Sequence, residues 1–222
     1  AVLGKSFERA ALSAVSERDS DRLDGLLRQL ARKQIVAIES SRPGAEPATY
    51  AFVQGLLRDV AYSTLSRHDR RGRHLAAARY FESLADDELA GLVANHFYDA
   101  YLAVPDGSQG EEAAVLARVA SRAAAVRSIA LHANRAALKF IDQALTVTTD
   151  PAERAELQVM AASPAWASGS LEDGEGYVRP AVEWYLANGY EAEADDAIAT
   201  MAGWLLHTSW TEGLRELLES LE

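Results

Sequence analysis

The feature that most constrains the fold is a change of hydrophobic period at Ile35, with helical patterns on both sides of it. Before it, leucines recur at the spacing of one helix face. These leucines are Leu23, Leu26, Leu27 and Leu30. After it, residues 35–38 and 50–52 are short apolar stretches typical of strands, and the loop at 42–47 contains two prolines and a glycine. Two helices, a hairpin and a further helix predict a winged helix.

Residues 6–15, 55–65 and 67–84 are the other helices predicted for this part of the chain. Phe7 is expected to anchor the core. The segment 55–65 is expected to bury one apolar face, made of Leu56, Leu57, Val60, Ala61 and Leu65. The next segment is basic, and its arginines are expected to form a solvated face paired with Asp69 and Glu82. They are Arg67, Arg70, Arg71 and Arg73.

From residue 86 onwards the pattern is helical throughout. The stretch 111–147 is too long for one globular helix, so a break is expected near 131–134, giving two helices in a hairpin. Leu171-Glu-Asp-Gly174 and Trp210-Thr-Glu-Gly213 lie 39 residues apart, each expected after one helix and at the start of another. Such a period is typical of tetratricopeptide-like helical repeats. The prediction is therefore a mainly α protein, with a winged-helix domain at 1–85 and tetratricopeptide-like antiparallel hairpins at 86–222.

Composition limits the classes of function. Residues 1–85 hold 14 Lys and Arg against 10 Asp and Glu, whereas residues 86–222 hold 8 against 23. The acidic part repels nucleic acid, so only the first third is a candidate for DNA contact. There is no cysteine and no long apolar run, which excludes disulfides and argues against a membrane partner. The chain start has no signal-peptide pattern, and we expect a piece of a cytoplasmic protein.

No catalytic constellation is evident in the sequence. Gly4-Lys5-Ser6 lacks the preceding strand and first glycine of a phosphate loop. The histidines show no i, i+4 pair, and His74 is expected to pack or to form hydrogen bonds rather than act as a base. We therefore predict no enzyme and no catalytic, cofactor or metal residue.

The last third is rich in aromatic residues, which admits two interpretations. They form the core between helices, or they line a surface that binds a protein or peptide. The candidate surface residues are Trp166, Tyr177, Trp184, Trp204 and Trp210. Because Trp204 and Trp210 lie near the C-terminal end of the repeat, self-association through that end is a further expectation.

Several segments resemble bacterial signal-transduction ATPases of the STAND class. Ala1-Val-Leu-Gly-Lys-Ser-Phe7 is similar to the region just beyond their ATPase core. Tyr50-Ala-Phe52, Leu57-Arg-Asp-Val-Ala-Tyr62 and His74 resemble their wing strand and following helices, and residues 123–150 resemble their first tetratricopeptide unit. The most similar patterns occur in fusions with adenylate/guanylate cyclase domains and in LuxR-type regulators. Val53-Gln54 departs from the family, which usually has Arg-His there, so that histidine's role does not carry over.

The resemblance implies a regulatory fragment whose winged helix packs on an upstream NTPase domain and whose helical repeat binds a protein or peptide. ATP turnover would then control an output domain. The alternative is a DNA-binding winged helix with a helical ligand-sensing body. Under that alternative the phosphate contacts would be Arg28, Arg32 and Lys33.

Overall fold

The computed structural model describes residues 1–16, 19–40, 49–168 and 171–219. Its first part is a small sheet with helices. The elements run in the order β1 (Ser6–Glu8), α1 (Arg9–Ser16), α2 (Ser20–Arg32), β2 (Val36–Ser40), β3 (Thr49–Phe52) and α3 (Gly55–Ser63). The predicted loop at 42–47 lies outside the described residues.

The sheet is antiparallel, with β3 in the centre between β1 and β2. Phe7 faces Tyr50 across the β1–β3 pair, and Val36 faces Phe52 across the β2–β3 pair. The winged-helix hairpin predicted from the change of period is therefore present. It also carries a third strand, because residues 6–8 form β1 rather than the start of the helix predicted at 6–15.

An aromatic cluster holds the sheet against α2. Phe7 lies 6.0 Å from the ring of Tyr50 and 5.9 Å from that of Phe52, measured between ring centroids. Leu23 and Leu27 of α2 pack against these rings and are 4% and 2% exposed. Phe7 thus anchors the core as expected, and of the predicted leucine stripe Leu23 and Leu27 are buried, whereas Leu26 and Leu30 are partly buried.

Helix α3 buries less of its apolar surface than the sequence suggests. Leu57 packs against the sheet cluster, but Leu56 is 69% exposed and Val60 is 54% exposed. The prediction of one buried face containing both residues was wrong. The side of α3 that carries Leu56 and Val60 faces solvent, and a second side carries the contacts with the rest of the fold.

Two longer helices, α4 (Arg67–Ser83) and α5 (Ala90–Ala103), follow and pack together as a hairpin. Ser66 caps α4 by accepting a hydrogen bond from the backbone N–H of Asp69. Arg71 does not belong to a solvated basic face: it is 8% exposed. Its guanidinium donates to the Gln109 carbonyl and pairs with Glu112 at 2.7 Å. Arg71 therefore ties α4 to the chain beyond α5.

The remaining helices are α6 (Gly107–Ala130), α7 (Asn134–Val147), α8 (Pro151–Ala167), α9 (Leu171–Ala187) and α10 (Glu191–Glu219). The break predicted near 131–134 is confirmed. Consecutive helices from α7 to α10 pack against one another, as tetratricopeptide-like hairpins do. The second half of the proposed repeat differs, because residues 210–213 lie inside α10 and do not open a new helix.

Two compact units divide the chain, one at residues 1–120 and the other at 121–222. The division falls within α6, later than the predicted domain boundary after residue 85. Among the described residues, no helix is both long enough and apolar enough to span a lipid bilayer.

Neighbouring leucines on α3 give a test of the fold. Leu57→Asp should lower the free energy of unfolding by about 2–4 kcal/mol, since it places a carboxylate against the apolar cluster. Leu56→Asp introduces the same charge one residue earlier at an exposed site and should change it by less than about 0.5 kcal/mol. Urea unfolding followed by circular dichroism measures both. Equal effects of the two substitutions would contradict the orientation of α3.

A second test concerns two glycines of α9. A Cβ on Gly174 would overlap the indole ring of Trp166, whereas a Cβ on Gly176 meets nothing within 4 Å. Gly174→Ala should therefore destabilise the chain by about 1–3 kcal/mol through overpacking. Gly176→Ala should stabilise it by about 0.5–1 kcal/mol, because alanine favours the helix. Thermal unfolding of both variants measures these changes. If Gly174→Ala left the stability unchanged, the close contact between Gly174 and the Trp166 ring would be contradicted.

Candidate functional site

The most unusual group of side chains lies where α4 and α5 pack together. His74 of α4 and His96 of α5 are 2% and 4% exposed, so both imidazoles are removed from water. Asp99 follows His96 by three positions, which places both side chains on the same side of α5. Tyr62 reaches the group from α3. We call these four residues the histidine cluster.

Short contacts connect the four side chains. The Nδ1 atoms of His74 and His96 lie 3.0 Å apart, and the Tyr62 hydroxyl lies 3.0 Å from Nε2 of His74. A carboxylate oxygen of Asp99 lies 3.7 Å from Nδ1 of His74. The ring of Phe81 stacks on His96 with 5.7 Å between centroids and fixes the plane of that imidazole. Both nitrogens of His74 thus have polar neighbours.

Burial sets the charge of the two imidazoles. It lowers the pKa of His74 to about 3, with further contributions from His96 and Arg70. Burial alone lowers the pKa of His96 to about 4. Partial burial and the Asp99 carboxylate raise the pKa of Tyr62. At neutral pH the cluster therefore holds two neutral imidazoles, one phenol and one carboxylate.

Neutral rings leave the cluster incompletely hydrogen-bonded. One of the two facing Nδ1 atoms must carry the proton between them, and the nearby Asp99 carboxylate favours its placement on His74. His74 then accepts from the Tyr62 hydroxyl at Nε2, and His96 carries its own proton on Nε2. That atom is buried and has no hydrogen-bond partner among the described residues. An unpaired buried donor costs roughly 1–3 kcal/mol, so stability alone does not account for this arrangement.

Part of this site was predictable from the sequence. His74 was expected to pack or to form hydrogen bonds, and it forms them. The pairing of His74 with His96 was not predicted, because the two histidines come from different helices and not from one helix turn. A local signal for it is His96-Phe-Tyr-Asp99, an imidazole and a carboxylate at i, i+3 spacing.

The aromatic residues proposed as a partner surface occupy different environments. Trp166 is 6% exposed and packs between helices, with the ring of Trp204 at 5.7 Å. Trp184 is half-buried and stacks on Tyr190. The Tyr177 hydroxyl donates to Asp142 at 2.7 Å; burial and this hydrogen bond raise the pKa of Tyr177 to about 12. The core interpretation therefore holds for Trp166, and the side chain of Trp210 lies outside the described residues.

The candidate DNA contacts lie at the end of α2, directly before β2. Arg28, Arg32 and Lys33 are all exposed. Arg28 donates from Nε to the carbonyl oxygen of Asp24 at 3.3 Å. The three cations are thus accessible on the helix that precedes the wing.

Comparisons of the chain with protein-family models, with curated proteins and with solved structures gave no match.

The lowered pKa values predict how stability depends on pH. The unfolded chain protonates histidine near pH 6.5, whereas the folded chain keeps His74 and His96 neutral to about pH 3 and 4. The unfolded state therefore binds more protons at pH 5, and stability falls as pH decreases below about 6.5. Each histidine should contribute up to about 2 kcal/mol of loss between pH 7 and pH 5.

Urea unfolding at pH 7 and pH 5, in buffer containing a chelator, measures this loss. His96→Phe should remove the share of His96, because phenylalanine keeps an aromatic ring beside Phe81 and does not titrate. His68→Phe, at an exposed position on the same helix as His74, is the matched control and should leave the pH dependence unchanged. An unfolding midpoint that is the same at both pH values would contradict the neutral buried pair.

Proposed function

We propose that this chain is a non-catalytic regulatory and protein-interaction fragment of a multidomain, cytoplasmic STAND-class ATPase of bacterial origin. Its output would be a cyclase or a transcriptional regulator. A winged helix followed by tetratricopeptide-like hairpins supports this proposal, as does the sequence resemblance. In this proposal the N-terminal unit binds the NTPase domain of the parent protein, and the C-terminal unit binds another polypeptide.

The observation that carries the proposal is an exposed aliphatic stripe at the start of α3. Val53, Leu56 and Val60 are 48%, 69% and 54% exposed. Leu56 and Val60 lie four residues apart on one side of α3, and Val53 stands two residues before the helix begins. Single exposed apolar residues are common, but a row of large aliphatic side chains marks a surface that another protein covers. We refer to these three residues as the α3 stripe.

The α3 stripe begins where the chain departs from the family that it resembles. Val53 directly follows β3, where the family usually has Arg-His. An aliphatic residue at that place replaces a polar contact with an apolar one, and Leu56 and Val60 extend the apolar surface along the helix. The partner face on the NTPase domain is therefore expected to be apolar as well, since burial of aliphatic surface would drive association.

The C-terminal unit offers a different surface, a groove of about 340 Å³ between α9 and α10. Its apolar lining includes Val182, Ile198 and Met201, and Glu175 and Glu183 lie at its rim with Arg179. The acidic excess of this part of the chain favours a basic, amphipathic helix as the second partner. Val182 and Met201 of this lining also pack against the buried cluster that contains Trp166.

DNA binding by the winged helix is the second candidate function. The exposure of Arg28, Arg32 and Lys33 on the helix before the wing favours it. Three cations at one helix end supply a modest, salt-sensitive attraction to phosphates. DNA binding would not use the α3 stripe. The two candidate functions therefore require different residues of the N-terminal unit.

The α3 stripe gives the deciding prediction. Replacing Leu56 and Val60 together by Asp should weaken binding of the full chain to the purified NTPase domain of the parent protein by at least about 30-fold. The reason is that two carboxylates would be buried in an apolar interface. Both positions are exposed in the free chain, so the variant should still fold, which circular dichroism checks.

Gln29→Asp on α2 is the control for added negative charge, since it adds one carboxylate, half the charge of the double variant, at an exposed site outside the α3 stripe. It should bind like the parent chain. Unchanged binding by the double variant would remove the support for α3 as the docking face. Salt-dependent binding of duplex DNA that Arg28→Glu abolishes would favour the second candidate function instead.

A further inference from the structure

The histidine cluster has the geometry of a metal site as well as that of a hydrogen-bonded pair. One ligand atom from each of His74, His96 and Asp99 lies within 4.8 Å of the other two. The two Nδ1 atoms are 3.0 Å apart, and the carboxylate oxygen is 3.7 Å from Nδ1 of His74. Ligands bonded to one ion at about 2.0–2.2 Å lie roughly 3–3.5 Å from one another. Only a small movement of Asp99 would complete such a triangle.

We propose that His74, His96 and Asp99 bind one divalent first-row transition-metal ion, with Zn²⁺ as the ion that fits best. The ion takes the place of the proton shared by the two imidazoles and is bound by both Nδ1 atoms. The Asp99 carboxylate supplies the third ligand, and water completes the coordination.

The ligand set selects the class of ion. Two imidazole nitrogens with one carboxylate suit Zn²⁺ and its neighbours in the first transition row, whereas Mg²⁺ and Ca²⁺ prefer oxygen ligands throughout. Neutral imidazole is the form that binds metal, and the two rings are buried with their Nδ1 atoms 3.0 Å apart. Three protein ligands leave a position for solvent, as in zinc sites that are not fully closed.

Access to the site is from the side of Asp99. The two imidazoles are buried, but the Asp99 side chain is 46% exposed. Asp99 is therefore the ligand that contacts solvent. The negative charge of Asp99 also offsets the nearby guanidinium of Arg70, which lies 4.6 Å from the centroid of the Tyr62 ring and opposes the binding of a cation.

Two neighbours hold the ligand rings in position. With Nδ1 of His74 bound to metal, its Nε2–H donates to the Tyr62 hydroxyl, 3.0 Å away in this structure. An outer hydrogen bond of this kind fixes the orientation of a ligating histidine. Phe81 stacks on His96 with only 6° between the ring planes, which limits rotation of the second ligand. Tyr62 and Phe81 are thus positioning residues for the site.

The test begins with the full chain, purified without a histidine tag and dialysed against a chelator. Titration with Co²⁺ should produce the visible absorption of a low-symmetry Co²⁺–imidazole complex, saturating at one ion per chain. Zn²⁺ should displace it, and isothermal titration should give the same stoichiometry. Added Zn²⁺ should also raise the melting temperature, because the ion binds the folded state.

Two variants remove one ligand each. Asp99→Ala acts at a half-exposed site and should weaken Co²⁺ and Zn²⁺ binding at least about tenfold while the chain still folds. His96→Phe should abolish binding, and it should also fold, because it removes the unpaired Nε2 atom and keeps the ring stacked on Phe81. Circular dichroism verifies the fold of each variant before titration.

His68→Phe is the matched control, since His68 lies on the same helix as His74 but is exposed. It should leave affinity and stoichiometry unchanged. The proposal is overturned if the metal-free chain binds neither ion below about 100 μM, a weak limit on the affinity scale. It is equally overturned if Asp99→Ala and His96→Phe bind as the parent does, or if His68→Phe loses as much affinity as they do.

Discussion

Alanine at the contacts between helices sets how closely the helices of this chain approach one another. Fully buried alanines line the facing sides of α4 and α5 and recur along α8, α9 and α10. They include Ala77, Ala78, Ala94, Ala100, Ala161, Ala162, Ala181 and Ala194. Because a methyl group fills little space, the backbones come close, and the distance between helix axes depends on the side chains at the contact. Larger residues at these positions would move the helices apart. The side chains on facing helices would then also lie farther from each other.

The histidine cluster depends on this close approach. Imidazoles on two helices reach 3.0 Å between Nδ1 atoms only when the helices that carry them are near each other. The same closeness excludes water, which lowers both pKa values and keeps the rings neutral. Small residues beside the pair thus determine its charge as well as its geometry. In the C-terminal unit Gly174 has a comparable role, since it gives the indole of Trp166 room beside α9.

Sequence patterns predicted the parts of this fold that depend on local spacing. The change of period at Ile35 located the hairpin of β2 and β3, and the excessive length of 111–147 located the break between α6 and α7. Strand β1 was missed because three residues are too few to show alternation, and its identity depends on pairing with β3, far away in sequence. Arg71 was misjudged for the same reason, since Gln109 and Glu112 become its partners only after folding. The two histidines also become neighbours only when α4 packs on α5. A search for histidines within one helix turn therefore could not predict the pair.

Helix α3 connects the two surfaces to which we assign a function. Its exposed side carries Leu56 and Val60, and another side carries Tyr62, whose hydroxyl contacts His74. With a metal ion on Nδ1 of His74, that imidazole would donate to Tyr62 instead of accepting from it. A partner that covers the exposed side acts on the same short helix from the other direction. Two ligands that bias one element are coupled, and such coupling is reciprocal: if metal binding favours the docked position of α3, docking must tighten metal binding by the same factor.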